Sequence, residues 1–161
     1  MSDLIRRLSS RLIHLKWMLS TAESCTGGMI ASQCTDLPGS SDWFDRGFVS
    51  YSNAAKTQML GVDPELFTTH GAVSEPVVRA MALGAIYHSK SMVSIAVTGV
   101  AGPSGGSHEK PVGTVWLAWF VNGHVSTELK CFDGSRSEIR EATTAFALQG
   151  LFDRIPKSSN Q

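Results

Sequence analysis

Neither charge sign is in excess, because fourteen lysines and arginines match fourteen acidic residues. That balance removes the simplest case for nucleic acid or an anionic membrane surface as the main partner, though not for a local basic pocket. Long apolar runs are also missing. The most apolar N-terminal stretch, Leu12 to Leu19, is interrupted by His14 and Lys16, so it suits neither a membrane span nor a signal-peptide core. Cysteine is scarce: Cys25, Cys34 and Cys131 are odd in number and lack CxxC spacing, which argues against a disulfide framework or a zinc site and for reduced thiols in the cytoplasm. The five histidines stand singly, so no metal is expected. Repeats and low-complexity tracts are absent as well.

What is present is an ordinary globular composition, 42% hydrophobic over 161 residues, enough for one cored domain over 1–155 followed by a disordered tail at 156–161. Leu4, Ile5, Leu8 and Leu12 line one side of a first helix, with Arg6, Arg7 and Arg11 facing away. Lys16–Thr21 reads as a strand, 26–35 as a helix, Trp43–Tyr51 as a strand and Asn53–Leu60 as a helix stopped by Gly61. Ser74-Glu75-Pro76 opens a helix whose apolar face carries Val78, Met81, Ala82, Ala85 and Ile86. A buried strand follows at 92–98. Asn122-Gly123 then separates two strands, 114–121 and 125–132, as a hairpin, and Ser135 with Glu138 forms a capping box for a last helix to about Asp153. This order predicts an α/β fold: a three-layer α/β/α domain whose mixed sheet includes an antiparallel hairpin.

Two glycine-rich turns follow strands. In Ser24-Cys25-Thr26-Gly27-Gly28, backbone N–H groups at a helix start suit a phosphate or an oxyanion, and a plain turn with Ser24 or Thr26 as N-cap is an equal reading. In Thr98-Gly99-Val100-Ala101-Gly102-Pro103-Ser104-Gly105-Gly106 the glycines match neither a P-loop nor a dinucleotide fingerprint. Loops at the carboxyl ends of such strands bind ligands, so the two turns are expected to share a pocket.

Lys56 stands in the first turn of a helix capped by Ser52 or Asn53, the wrong end of the dipole for a cation. A solvated lysine is the commoner outcome. Burial would instead lower its pKa and let the neutral amine serve a serine as general base. Cys25, at a helix start, is a competing nucleophile expected to have a lowered pKa. Ser24 with Lys56 needs no histidine and is the preferred pair.

TAESCTGG, GSSDWFDRGFVSYSNAAK, GVDPELFTTHGAVSE, VTGVAGPSGG and KPVGTVW together resemble the C-terminal-domain family of the competence/damage-inducible protein CinA, over nearly the whole chain. Its stand-alone members are nicotinamide-nucleotide amidases. The resemblance implies hydrolysis of nicotinamide mononucleotide to nicotinic acid mononucleotide and ammonia, with no cofactor and no metal. Ser24, Lys56 and Tyr51 match the family's serine, lysine and tyrosine, the tyrosine as an optional proton relay. Cys25, Thr26, Gly27, Gly28, Asn53, Thr98, Gly99, Ala101 and Gly102 are expected around the substrate, with Arg136 or Arg140 as phosphate anchor. A homo-oligomer is expected, although Trp43, Phe44, Trp116 and Trp119 belong in the core by default. The alternatives are a non-catalytic nucleotide-binding or competence/damage-associated partner domain, and an amidase for another small amide.

Overall fold

The computed structural model describes residues 1–157, so of the tail expected from 156 onward, 158–161 lie outside the described residues. Among the described residues six α-helices and five strands follow in the order α1 (Ser2–Leu15), β1 (Leu19–Glu23), α2 (Met29–Thr35), β2 (Phe44–Val49), α3 (Asn53–Leu60), α4 (Pro64–His70), α5 (Glu75–Tyr87), β3 (Val93–Gly99), β4 (Thr114–Val121), β5 (His124–Cys131) and α6 (Arg136–Arg154), with a single 3-10 turn at Ser40–Asp42 before β2. The sheet runs β2-β1-β3-β4-β5. The β2-β1 and β1-β3 pairings are parallel and the β3-β4 and β4-β5 pairings antiparallel, which is the mixed sheet read from the sequence. No helix among the described residues is long and apolar enough to cross a membrane.

Strand alternation divides the core in two. On one face Leu19, Val93, Ile95, Val97, Leu117 and Trp119 meet α1, α2 and α6 through Ile5, Leu8, Leu12, Ile30, Leu148 and Leu151. Each fully buried side chain of this size contributes roughly 1.5–3 kcal/mol. The other face is built from small residues, and Ala22, Ala96 and Ala118 let α5 lie close. Buried Ser94 and Ser20 donate to the α5 carbonyls of Ala82 (2.9 Å) and Ala85 (3.4 Å), so the polar atoms of this seam are paired. Gly84 of α5 meets the last turn of α3, where a Cβ would strike the Leu60 carbonyl.

Three local expectations change. Lys16 adopts a left-handed conformation (φ 56°) and closes α1 through its N–H, so β1 begins only at Leu19. Helix α2 starts at Met29 behind Gly28 (φ 101°), because residues 25–28 form a turn rather than a first helical turn. Helix α4 was not expected. It starts by the grammar expected of α5, since Asp63 accepts from the Glu65 N–H at 3.0 Å and Pro64 occupies the first helical position, whereas Ser74 of α5 makes no side-chain cap bond and donates to the Gly71 carbonyl instead. Of the four bulky aromatics, Trp43 and Trp119 are fully buried, and Phe44 and Trp116 half-buried.

Candidate active site

Ser24 follows the last residue of β1. Its N–H continues the ladder to the Val97 carbonyl of β3, and the neighbouring Ser50 N–H donates to the Glu23 carbonyl from the end of β2. The serine is therefore fixed at the carboxyl edge of three parallel strands, where open α/β sheets place ligands.

Helix α3 supplies the second group. Ser52 caps it by accepting from the Ala55 N–H at 3.0 Å, and α5 packs behind it. This brings Lys56 Nζ to 3.0 Å from Ser24 Oγ and 3.0 Å from the Tyr51 carbonyl. Lys56 is only 2% exposed and forms no ion pair among the described residues. Burial holds its pKa below the ordinary 10.5, since an ammonium here would lose water and gain only neutral acceptors. The commoner reading of this lysine, a solvated cation, does not apply.

A cleft of about 240 Å³ opens over the pair. Ser24, Cys25, Tyr51, Asn53 and Lys56 line one side. Thr98, Gly99 and Ala101 line the other, and Arg136 reaches in from α6. The two glycine-rich turns thus share one pocket. Ala72 and Val73 also line it, and the residue-by-residue reading did not include them. Their signal was available, because they lie inside the stretch GVDPELFTTHGAVSE. Thr98 Oγ1 holds that loop by donating to the Ala72 carbonyl at 2.8 Å.

Thr26, Gly27, Gly28, Gly102 and Arg140 stand outside the lining. Gly27 (φ 57°) is needed for the turn and for space, as a Cβ would sit 3.2 Å from the Arg140 guanidinium. Arg140 donates to the carbonyls of Cys25 (2.9 Å) and Thr26 (3.3 Å), so this guanidinium is engaged with the turn. Gly102 presents its carbonyl to Arg136 at 2.8 Å. Arg136 also donates to the Tyr51 hydroxyl at 3.1 Å, and no carboxylate pairs with it among the described residues. The tyrosine therefore turns its carbonyl, not its hydroxyl, to Lys56.

Two expectations about the first turn are corrected. Burial raises the Cys25 thiol to about 11 instead of lowering it, because its sulfur packs into the core beneath Gly99. The start of α2 is not a vacant anion site either. Fully buried Glu23 already fills it, accepting from the Ile30 and Ala31 N–H groups (2.9 Å each), from Thr26 Oγ1 (2.6 Å) and from Thr21 Oγ1 (3.4 Å). Sequence grammar missed Glu23 as the cap because it precedes the helix by a whole turn. Among the described residues, the N–H groups of Cys25 and Thr26 have no protein acceptor, whereas the Gly27 N–H bonds the Ser24 carbonyl.

Comparison with known proteins agrees with this architecture. The nicotinamide-nucleotide amidohydrolase PncC of Escherichia coli (strain K12) is 53% identical over 138 residues, covering 85% of this chain and 84% of that protein. The Pseudomonas putida protein of the same name is 51% identical over 150 residues, covering 93% and 94%. The crystal structure of competence/damage inducible protein CihA from Agrobacterium tumefaciens superposes with a TM-score of 0.90 at 50% identity, covering 94% of this chain and 93% of that one. The model of the CinA C-terminal domain matches residues 1–155, and the chain belongs to that family.

Proposed function

We propose that this protein hydrolyses the carboxamide of nicotinamide mononucleotide, giving nicotinic acid mononucleotide and ammonia, with Ser24 as nucleophile and Lys56 as general base. As an amidohydrolase of the nicotinamide-nucleotide class, it must activate a hydroxyl, stabilise an oxyanion and protonate a poor leaving group. The observation that carries the reading is the buried amine of Lys56, 3.0 Å from Ser24 Oγ.

Neutral Lys56 takes the Ser24 proton as Oγ attacks the amide carbon. The N–H of Cys25, a residue of the cleft lining with no protein acceptor for that group among the described residues, receives the oxyanion, a donor of this kind being worth on the order of 3 kcal/mol. Lys56 then gives its proton to the departing nitrogen, the C–N bond breaks, and ammonia leaves a nicotinoyl ester on Ser24. Water, deprotonated by Lys56, attacks the ester, and the proton returns to Ser24. The Tyr51 carbonyl keeps Nζ aimed at both partners, so the relay through its hydroxyl is not required. The pyridinium withdraws electrons from the carbonyl and eases the demand on the nucleophile. Arg136, at the mouth of the cleft and bonded only to neutral acceptors among the described residues, anchors the 5′-phosphate.

Ammonia release is measured from nicotinamide mononucleotide, free nicotinamide and the dinucleotide, using wild type, Ser24→Ala and Lys56→Ala. The proposal expects the mononucleotide to be turned over and both variants to lose activity by about 10³-fold or more. An inert wild type that still binds the nucleotide would instead identify a binding module.

A further inference from the structure

We infer that Glu23 is a positioning residue for the nucleophile: through the Thr26 hydroxyl, its carboxylate closes the turn that carries Ser24 and the Cys25 N–H and ties that turn to α2. This rests on the Ser24 reading above, and it gives the buried carboxylate a part in the reaction's geometry beyond capping a helix.

Ser24 is held from two directions. Before it, the Glu23–Ser24 peptide is locked into the sheet, its carbonyl accepting from the Ser50 N–H at 2.9 Å and its N–H donating to the Val97 carbonyl at 3.2 Å. After it the chain leaves the sheet, which no longer fixes the Cys25 peptide. There the Thr26 hydroxyl donates back to Glu23 Oε1 at 2.6 Å. This bond closes a ring over residues 23–26, and the two residues enclosed are Ser24 and Cys25. The Gly27 N–H donates to the Ser24 carbonyl at 3.0 Å, and Arg140 grips the carbonyls of Cys25 and Thr26 from outside. The Glu23 carboxylate also accepts from the Ile30 and Ala31 N–H groups at 2.9 Å each, so the ring is fastened to α2.

Capping α2 needs only the last two bonds, and a short polar side chain next to the helix supplies such bonds without burying a charge. Glu23 is instead fully buried, and no cation pairs with it among the described residues. A carboxylate taken out of water is costly unless both oxygens are well bonded. Here each has two donors, Thr26 Oγ1 and the Ile30 N–H on one, the Ala31 N–H and Thr21 Oγ1 on the other. A short neutral cap cannot span the turn, and this long acidic side chain does. Strand alternation sends Glu23 toward α2 and Ser24 to the opposite face, where Lys56 Nζ meets Oγ at 3.0 Å. The carboxylate stands outside the cleft lining, so it acts by fixing where Oγ and the Cys25 N–H stand.

Thr26→Val, Thr26→Ser and Glu23→Gln are compared with wild type, with circular dichroism and urea unfolding to verify folding. Two rates are read: ammonia release from nicotinamide mononucleotide, and phosphonylation of Ser24 by an uncharged fluorophosphonate. In the second reaction Oγ bonds to phosphorus, its proton passes to Lys56, and fluoride leaves. Valine keeps the shape of Thr26 and removes the hydroxyl. Its kcat and labelling rate fall together by about 10- to 100-fold while KM changes less than about threefold, the loss that misplacement of a reacting group brings. Thr26→Ser restores the hydroxyl and recovers most of both rates. Glu23→Gln falls at least as far, since either orientation of its amide sets an NH2 group against an N–H of α2. A Thr26→Val protein that unfolds at lower urea yet keeps wild-type kcat and labelling overturns the inference and leaves Glu23 as a cap. A serine variant as slow as the valine one, or a defect confined to KM, overturns it too. If Glu23→Gln does not fold, the two Thr26 variants decide. A wild type that is labelled but releases no ammonia refutes the substrate proposal, and the labelling rates still decide the role of Glu23. A wild type inert in both reactions removes Ser24 as nucleophile, and this inference with it.

Discussion

Arg136 donates to the hydroxyl of Tyr51 at 3.1 Å, joining the first turn of α6 to the loop that leads into α3. The same tyrosine accepts from Lys56 through its carbonyl at 3.0 Å, so one residue links the mouth of the cleft to its base. The two contacts are separable by mutation. Tyr51→Phe removes the first and keeps the second, and its kcat is expected to stay within several-fold of wild type. Arg136→Gln removes a cation that no acid neutralises among the described residues and should raise KM for the mononucleotide by roughly 10- to 100-fold, equivalent to the loss of a charged hydrogen bond. Steady-state kinetics of the two variants separate these effects.

Lys56→Met tests the state of the lysine without using activity. The folded protein holds the amine's proton more weakly than the unfolded chain, which binds it below 10.5. Wild type therefore loses stability as pH falls from 10.5 toward the lowered folded value, and no further below it. Methionine carries no such penalty. The variant should be inactive yet more stable by about 1 kcal/mol near neutrality, with the advantage fading as pH approaches 10.5. Thermal melts across pH 7–11, read as the difference between the two proteins, decide it. A constant difference would mean that Lys56 is not depressed.

The pH–rate profile offers a kinetic view of the same group. The amine must be neutral to accept the Ser24 proton, so kcat/KM should rise with pH along a limb whose midpoint lies below 10.5.

Cys25 stands beside the nucleophile and is not expected to compete with it. With its pKa near 11, only about one thiol in a thousand is ionised at pH 8. Titration of the native protein with an aromatic disulfide should therefore modify the exposed Cys131 quickly, and Cys25 and Cys34 only after unfolding. Rapid loss of activity on modification of Cys25 would contradict this.

Gly84→Ala probes the support behind Lys56. A methyl group there meets the Leu60 carbonyl, which is backbone and cannot turn aside. Overpacking of this kind costs roughly 1–3 kcal/mol, and here it pushes α3, the helix bearing Lys56, away from Ser24. Urea unfolding should show a lower midpoint, accompanied by a fall in kcat larger than any change in KM.

Short-range chemistry accounts for most of what was legible. The capping box of Ser135 and Glu138 is formed at both of its bonds, and Asn122-Gly123 makes a hairpin with both residues at positive φ. The Ser52 cap and the Gly61 stop bound α3 as read. Helix α4 is equally legible in Asp63-Pro64-Glu65. The five motif stretches, taken together, carried the family resemblance.

Other features had no local signature. Whether Lys56 is solvated or buried depends on α5 covering α3, and the fate of Cys25 depends on Gly99 lying above its sulfur, 74 positions later in the chain. The two arginines of α6 stand one turn apart with the same chemistry. Arg136 reaches the cleft, while Arg140 is taken up by carbonyls 114 and 115 positions away. Caps, turns and periodicity are properties of neighbours along the chain, so the sequence by itself determined the elements and the types of group available for chemistry. Desolvation and hydrogen-bond pairing depend on neighbours in space, and only the tertiary structure decided which amine is held below its ordinary pKa, which thiol is silenced and which guanidinium faces the substrate.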